Sequence, residues 1–483
     1  MVNEARSCNS NLTTLTVNLR MHDAQQRARL TSESAEALKQ RGDLLLQAQR
    51  PLEALLSYEQ ALMLKPDFAE ALKNRGNALR ELGRLTEALN SYQQALTVQP
   101  GFIAALNNCG VTLQELDRPE LAADYYRQAL QLQADAAGTL TNYAATLQDL
   151  GQPGAALMHY QRALQLQPDS AAAHFGASLC YLLLGDFAKG WQEYEWRWQT
   201  GLYVSLKRTF TEPLWLGESA LAGKTILLHA EQGLGDTLQF CRYASQLAAL
   251  GAKVLLEVQA PLKMLLAQLP GVAGVYAEGE ALPRFDCHCP LLSLPLALRT
   301  QLATIPACAA YLSADPEKSA YWAARLRKPG KRLIGLAWSG NEAHVHDRHR
   351  SIPLAQFAPL FSAPGSADLQ FVCVQNQIRD TDRAALSEFG IVELSSELHD
   401  FTDTAALLAC VDRVITVDTV AAHLGGALGR PTTVMLPYRP DSRWLLGRAD
   451  SPWYPTLNLL RQETRGDWRS VLAQVAASLP QKN

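Results

Sequence analysis

An aspartate ends a short glycine turn in the second half of the chain. The turn reads Gly233-Leu-Gly235-Asp236 and follows the apolar stretch Thr225–His229. Glycine at these two positions permits a tight turn and the close approach of a substrate to the backbone. A carboxylate there can accept a proton from a reacting group, or it can serve as the N-cap of the helix that follows. Asp236 is therefore a candidate catalytic residue, with helix capping as the alternative.

The same turn has a superficial likeness to a dinucleotide-binding fingerprint, and Glu257 lies at a suitable distance downstream. However, Leu238 occupies the place of the third glycine, and the acid after the second glycine would repel a pyrophosphate. We therefore do not expect a nicotinamide or flavin cofactor.

A second group of polar residues opens a predicted helix in the last third of the chain. Asp418, Thr419 and His423 come directly after the predicted strand Arg413–Val417. A helix N-terminus presents free N–H groups and a positive dipole end, which suits a diphosphate. Thr419 can add a hydroxyl donor, and His423 lies one turn along the same face. Asp418 is better suited to a ligand hydroxyl than to a phosphate, and the alternative is a capped helix with a packed histidine.

Two further segments carry candidate ligand-binding residues. Ser339 and Gly340 follow a predicted strand, so they should lie at the carboxyl edge of a sheet, where open α/β folds bind ligands. Arg350 can supply a fixed positive charge for a leaving anion. Arg348 competes for that role, and a solvated basic loop is the alternative. Gln375 ends another predicted strand and is a candidate contact for a nucleotide base.

The sequence does not predict a metal site. Cys287 and Cys289 flank His288, but alternation along a strand turns the imidazole away from the two thiols, so we expect an ordinary buried strand. Asp380-Thr-Asp382 is predicted to begin a helix rather than to form a metal-binding loop.

The elements that position these residues follow a βαβ pattern, which predicts parallel sheets. Two blocks of this pattern, 205–329 and 330–483, predict two Rossmann-like lobes joined by the basic stretch Arg327–Arg332. A helix is predicted over Thr237–Leu250. The strands are predicted at Thr225–His229, Lys253–Val258, Arg332–Trp338, Leu369–Val374, Arg413–Val417 and Thr432–Met435.

The first half of the chain repeats every 34 residues, which is the tetratricopeptide period. Small residues at the glycine and alanine positions let two antiparallel helices approach closely, a tyrosine is expected to fill the space between neighbouring pairs, and proline ends the second helix. Five units are predicted at 35–68, 69–102, 103–136, 137–170 and 171–204, so that the repeats span 35–204. A tail and a capping helix are predicted over 1–34. The recurring residues are Tyr58, Tyr92, Tyr126, Tyr160 and Tyr194, with Ala61, Ala95, Ala129 and Ala163, and Gly42, Gly76 and Gly110.

The fifth unit departs from this pattern. Arg197 stands where earlier units have alanine, so its charge is expected to prevent a further repeat from stacking. Trp191, Tyr194 and Trp198 lie on one helix face. We expect this aromatic face to dock on the following domain.

Composition places the chain among globular proteins, with 48% hydrophobic and 19% charged residues. The net charge of −3 gives no indication of nucleic-acid binding. The polar first 20 residues predict no secretory signal, and no apolar run predicts a membrane span. Nine scattered cysteines are typical of a reducing cytoplasm.

The order of motifs in the second half resembles that of the heptosyltransferase-like glycosyltransferases, which have the two-lobed GT-B fold. Fused tetratricopeptide repeats are typical of a bacterial branch that includes flagellin-modifying transferases, and the layout is also similar to that of the O-GlcNAc transferases. The segments that carry the resemblance are Gly233–Asp236, Trp338-Ser-Gly340, Arg348-His-Arg350-Ser-Ile-Pro353, Asp418–Pro431 and Ser451-Pro-Trp-Tyr-Pro455.

This resemblance implies a nucleotide-sugar donor bound by the second lobe, Asp236 as the general base at the cleft, and no catalytic metal or other cofactor. It also implies a hydroxyl acceptor on a protein chosen by the repeats, with a flagellin-like protein as one candidate. Two alternatives stay open. The acceptor can be a glycan or lipid-linked saccharide, or the chain can be a non-catalytic scaffold with a decayed transferase domain.

Overall fold

The computed structural model describes residues 34–201, 203–344 and 347–479. Except for Ser34, the tail and capping helix predicted over 1–34 lie outside the described residues. The chain divides into two compact units, and the boundary in the sequence lies between Pro168 and Asp169. The fifth predicted repeat therefore belongs to the same unit as the α/β part, and the boundary differs from the one predicted after residue 204.

The described part of the first unit consists of four antiparallel helix pairs. Each pair begins at the residue that the 34-residue period predicts. The helices are α1 (Ala35–Gln47), α2 (Pro51–Leu64), α3 (Ala69–Glu81), α4 (Leu85–Val98), α5 (Ile103–Glu115), α6 (Pro119–Leu132), α7 (Ala137–Asp149) and α8 (Pro153–Leu166).

The recurring glycine and tyrosine pack against each other inside one pair. A Cβ atom on Gly42 would lie 2.5 Å from the ring of Tyr58, and the next two pairs repeat this overlap. The Tyr58 ring is fully buried, and its hydroxyl donates a hydrogen bond to Asp43 at 2.8 Å. Glycine is needed here because the ring occupies the space of a side chain within its own pair. The ring also belongs to a hydrophobic cluster that includes Ala78 and Leu79 of the neighbouring pair, as predicted.

The second unit opens with the fifth helix pair, α9 (Ala171–Leu183) and α10 (Phe187–Tyr194). Trp191 and Tyr194 pack on the α/β part, as the sequence predicted, but the helix ends at Tyr194 and Trp198 lies in the 3-10 turn that follows. The ring of Trp191 meets Phe240 edge to face at 5.9 Å, and Phe187 stacks on Trp453 at 6.2 Å. These rings join the hydrophobic core that runs through the α/β part.

Arg197 follows α10 in a short 3-10 turn and is fully buried. Its guanidinium donates to Glu231 at 3.0 and 3.1 Å, to Glu195 at 2.7 Å and to Ser293 at 2.7 Å. These contacts give Arg197 a role beyond the one expected from its repeat position. The carboxylates of Glu195 and of Glu231, which is distant in sequence, neutralise the charge, and the arginine anchors the pair to the α/β part.

The strands described after Asp169 form two parallel sheets, as the βαβ pattern predicted. The first has the order β3-β2-β1-β4, and the second has the order β6-β5-β7-β8-β9. The strands are β1 (Thr225–His229), β2 (Lys253–Val258), β3 (Val272–Ala277), β4 (Cys287–Pro290), β5 (Arg332–Ala337), β6 (Leu369–Cys373), β7 (Arg413–Val417), β8 (Thr432–Leu436) and β9 (Leu457–Arg461).

We call the residues around the first sheet the first lobe and those around the second sheet the second lobe. In each sheet the chain adds strands first on one side of a central strand and then on the other. This reversal point lies between β1 and β4 in the first sheet and between β5 and β7 in the second. Ligands of open parallel sheets bind outside the carboxyl ends of the strands at such reversal points. The helices of the two lobes are α11 (Leu234–Phe240), α12 (Ala244–Ala249), α13 (Lys263–Leu266), α14 (Leu294–Ala297), α15 (Pro316–Leu326), α16 (Asp347–Arg350), α17 (Ala358–Phe361), α18 (Arg383–Glu388), α19 (Phe401–Cys410), α20 (Val420–Ala427) and α21 (Trp468–Ala477).

The strand with the two cysteines is buried, as predicted, and its histidine points toward another histidine. His288 contacts His229 with 3.2 Å between ring nitrogens, and Phe210 packs on both imidazoles. Both thiols are free. None of the helices in the described ranges is long and apolar enough to cross a membrane.

Candidate functional site

The candidate site lies where α11 of the first lobe meets α20 of the second. The two helices pack against each other. A Cβ atom on Gly235 would lie 2.6 Å from the ring of His423, so the absent side chain makes room for the other lobe. The sequence-based expectation assigned this space to a substrate. In the structure, His423 of α20 fills this space.

Asp236 lies in the first turn of α11, three residues after the N-cap Gly233. One carboxylate oxygen accepts the backbone N–H of Gly233 at 3.0 Å, and the other accepts the guanidinium of Arg443 at 2.6 Å. The side chain retains 15% exposure. The capping alternative therefore takes a specific form. Asp236 makes one half of a capping box, because its carboxylate accepts the N–H of Gly233 but glycine has no side chain to complete the pair.

Arg443 is the residue of this site that the sequence analysis did not identify. It comes from the loop after β8, and its side chain is 16% exposed. Besides Asp236, it donates to Asp441 at 2.8 Å and to Gln239 at 2.8 Å, and it lies 3.3 Å from the Nε2 of His423. Burial disfavours its charged form, but Asp441 and Asp236 outweigh burial and raise the pKa of Arg443 well above its usual value. The guanidinium therefore joins acceptors from both lobes.

His423 is buried beneath this ion pair, in surroundings that favour the neutral imidazole. Burial, reinforced by Arg443, lowers the pKa of His423 well below its usual value. Because an arginine can only donate, Nε2 must accept, and the proton resides on Nδ1, which lies 2.9 Å from the hydroxyl of Tyr454. The ring also stacks against Trp444. Both ring nitrogens thus contact protein groups.

Asp418 and Thr419 lie between β7 and α20, at the reversal point of the second sheet. The backbone carbonyl of Asp418 accepts a hydrogen bond from Arg350 at 3.1 Å. Burial, reinforced by the nearby Asp441, raises the pKa of the Asp418 carboxyl to about 6, against the opposing charges of Arg443 and Arg350. Thr419 is the N-cap of α20, and its hydroxyl lies 3.2 Å from that of Thr416. The first N–H groups of α20 therefore have no side-chain cap.

The loop after β5 lies at the same reversal point. Gln375 holds it by accepting the backbone N–H of Trp338 at 3.0 Å and donating to the hydroxyl of Ser339 at 3.0 Å. Gly340 lies against Arg350, because an added Cβ atom would be 2.8 Å from the guanidinium. The structure thus brings Ser339, Gly340 and Arg350 together, while the Gln375 amide contacts the protein backbone.

The two competing arginines differ in position. Arg350 is only 20% exposed and contacts Asp347 at 3.5 Å. Arg348 is exposed, and its Nε lies 3.2 Å from the imidazole of His349. Arg379, which was not predicted, also contacts Asp347 and donates to the backbone carbonyl of Gly340. Arg350 is therefore the arginine placed beside the start of α20.

Signals for the missed residues exist in the sequence. Asp441 and Arg443 follow β8, so they belong to the same carboxyl edge as Asp418, where side chains after parallel strands converge. The described residues contain no cluster of three or more His, Cys, Asp or Glu side chains suited to a metal ion.

Comparison with known proteins bears mainly on the first half of the chain. Family models described as TPR repeat or tetratricopeptide repeat match residues 76–117, 102–139 and 144–195. The solved structure of YrrB, titled a TPR protein with an unusual peptide-binding site, is 21% identical, covers 36% of this chain and 90% of its own, and has a TM-score of 0.31. PilW, titled a widely conserved type IV pilus biogenesis factor, is 24% identical, covers 36% of this chain and 81% of its own, with a TM-score of 0.33.

One curated relative reaches beyond the repeats. Protein FlbA of Caulobacter vibrioides is 26% identical over 332 residues, which cover 64% of this chain and 55% of the relative. The chain thus spans about half the length of that protein. A match over 64% of 483 residues is longer than the first 204 residues, so it extends into the α/β part. The first part of the chain is therefore a stack of tetratricopeptide repeats, followed by two parallel α/β sheets.

Proposed function

We propose that this chain is a metal-independent glycosyltransferase with a GT-B fold, which moves a sugar from a nucleotide donor to a hydroxyl group on a protein. One observation carries the proposal. Asp236 of the first lobe follows Gly235, which touches His423 in α20, and the first N–H groups of α20 in the second lobe have no side-chain cap. In this proposal the acid takes the proton of the acceptor hydroxyl, and the helix start binds the diphosphate of the donor.

The reaction assigns one task to each side of the cleft. The acceptor hydroxyl gives its proton to the Asp236 carboxylate while its oxygen forms a bond to the anomeric carbon of the sugar. The bond between that carbon and the diphosphate oxygen breaks, and the electron pair leaves with the nucleoside diphosphate. Arg350 and the first N–H groups of α20 are the groups placed to stabilise the leaving charge.

The repeats supply the acceptor in this proposal. A repeat stack offers an extended binding surface and carries no chemistry of its own. A protein acceptor follows from this, with a flagellin-like protein as one candidate. Since nucleotide sugars are cytoplasmic metabolites, the enzyme would act there. Intact-mass analysis of co-expressed acceptor proteins separates this reading from a saccharide acceptor, because only a protein acceptor gains the mass of the sugar.

The test of the catalytic assignment begins with a thermal-shift screen of nucleotide sugars. A ligand at about 100 times its dissociation constant adds roughly 2.7 kcal/mol of stability. With the donor found, release of nucleoside diphosphate is measured for Asp236→Asn, which keeps an oxygen for the Gly233 N–H. We expect turnover to fall by a factor on the order of 10²–10⁴ with unchanged donor affinity.

Asp403→Asn is the matched control. Asp403 occupies the same third position in the capping box of α19 and also pairs with a cation, Lys318 at 2.7 Å, but it lies outside the site. Turnover should survive this substitution. Equal activity in the Asp236 and Asp403 variants would assign Asp236 to capping alone. A protein that neither binds nor turns over any nucleotide sugar would favour the scaffold reading.

The recruiting role is tested by removing residues 1–168, which leaves the second compact unit intact. Donor hydrolysis should continue, and transfer to the protein acceptor should be lost. Transfer at the full rate by the shortened chain would show that the first four repeats do not select the acceptor.

A further inference from the structure

We infer that Arg443 is the positioning residue that holds Asp236 in its reactive orientation and makes that orientation depend on contact between the two lobes. This inference rests on the proposed function, since it concerns the base of that reaction. Arg443 belongs to the second lobe and Asp236 to the first, and their 2.6 Å ion pair joins the two lobes at the candidate base.

The Asp236 carboxylate keeps hydrogen-bond acceptor capacity that a substrate hydroxyl can use. Each carboxylate oxygen can accept two hydrogen bonds. One oxygen holds the N–H of Gly233 and the other holds Arg443, so the carboxylate is restrained at both ends. A lone pair remains on each oxygen for an incoming hydroxyl. The two restraints therefore fix the carboxylate without occupying it completely.

Charge explains why the carboxylate needs this partner. Asp418 and Asp441 also act electrostatically on Arg443, so three acids converge on one guanidinium. Without that cation, Asp236 would meet the repulsion of like charges and would favour a rotamer turned toward solvent. Arg443 is itself oriented by Asp441 and Gln239, which accept from its Nε and one terminal nitrogen.

A purely structural tie between the lobes looks different, and the chain contains one. Arg242 of the first lobe is buried and donates to the backbone carbonyl of Trp453 at 2.5 Å and to the hydroxyl of Tyr311 at 3.1 Å. All of these acceptors are neutral. Because Arg242 already connects the lobes without using a carboxylate, the ion pair of Arg443 with Asp236 is not required for that purpose.

The experiment combines two readouts on the full chain. In the first, Asp236→Asn, Arg443→Gln and the double variant are unfolded with urea. If Arg443 holds Asp236, the double variant should unfold at the midpoint of the less stable single variant. Midpoint shifts that add would overturn the inference, because independent sites give additive effects. This readout requires no enzymatic activity, so it reports whether the two residues are coupled even if the proposed function fails.

In the second readout, donor turnover is measured for Arg443→Ala and Arg443→Gln. We expect kcat to fall by about 10–100-fold with little change in the KM for the donor, and no further loss when Asp236 is already Asn. Added methylguanidinium should restore part of the activity of Arg443→Ala. Arg448→Gln is the matched control. Arg448 lies in the same loop, but its partner is Asp450, at 2.5 Å, and not Asp236.

The outcomes separate the two proposals. Full activity of folded Arg443→Ala beside an inactive Asp236→Asn would overturn the positioning role alone. Full activity of Asp236→Asn would overturn the catalytic assignment, and the unfolding cycle would still report whether the pair is coupled. A loss in Arg448→Gln as large as that in Arg443→Gln would assign the effect to the loop rather than to the ion pair.

Discussion

Replacing Arg197 with methionine tests whether the fifth helix pair is anchored by a buried ion pair. The substitution keeps an unbranched side chain and removes the charge. Its partner Glu231 has a side chain only 1% exposed, so the carboxylate would remain buried without its guanidinium. Breaking a buried pair from one side costs about 3–5 kcal/mol, or roughly 10²–10⁴-fold in the unfolding equilibrium. Replacing both Arg197 and Glu231 with methionine should recover most of this loss, because apolar residues of similar volume can substitute for a buried pair.

Tryptophan fluorescence in urea measures this effect in the right part of the chain. All nine tryptophans lie between Trp191 and Trp468, within the second compact unit, so the signal does not report on the first four repeats. The midpoint should move to lower urea in Arg197→Met and return toward the original value in the double variant. A single variant within about 1 kcal/mol of the parent, or a double variant less stable than either single one, would refute the reasoning.

Three further predictions follow from single contacts. Gly110→Ala overlaps the tyrosine ring of its own pair and should lower the stability of the repeats by about 1–3 kcal/mol, measured by circular dichroism, whereas Gly138→Ala meets no atom within 4 Å and should not destabilise them. Burial lowers the pKa of His229 from 6.5 to about 3. Below pH 6.5 only the unfolded chain binds this proton, so stability should fall by about 1.4 kcal/mol per pH unit toward pH 3. His229→Gln should make that decline shallower in urea titrations, and an unchanged slope would contradict the assignment. Asp418→Ala and His423→Ala should weaken nucleotide-sugar binding, measured by calorimetry, while the protein stays folded. If both variants bind the donor as tightly as the parent protein, the donor site is not at α20.

The sequence predicted the elements best where the pattern was local. The first residue of each of the five helix pairs, from Ala35 to Ala171, follows from the 34-residue period. The apolar runs that became β1, β2 and β7 have the predicted bounds. The strand Leu457–Arg461 was missed because it lies at the sheet edge and is only partly buried, so it lacks a continuous apolar run.

Prediction was poorer where a residue acts through a distant partner. The role predicted for Arg197 came from its position in the repeat, but its main partner Glu231 lies in the loop after β1. Gly235 was expected to leave space for a substrate. The residue that occupies this space is His423, which belongs to the other lobe and is distant in sequence. Arg443 carries no recognisable motif, and its importance appears only when the loop after β8 is placed beside α11. Sequence periodicity encodes neighbours along one element, whereas contacts between elements depend on how the chain folds back on itself.

The fifth helix pair supports the turn that carries Asp236, so it belongs functionally with the α/β part. Arg197 holds Glu231, and the hydroxyl of Tyr194 accepts a hydrogen bond from Gln232 at 3.0 Å. Gln232 directly precedes Gly233, whose N–H is bonded to the Asp236 carboxylate. A chain that began after residue 204 would lose Arg197 and Tyr194, and would leave both the buried carboxylate of Glu231 and the start of the turn without their partners. A chain that began at 169 would retain them. The period of 34 residues therefore identifies the fifth pair as a repeat, while its buried polar contacts make it part of the support of the candidate base.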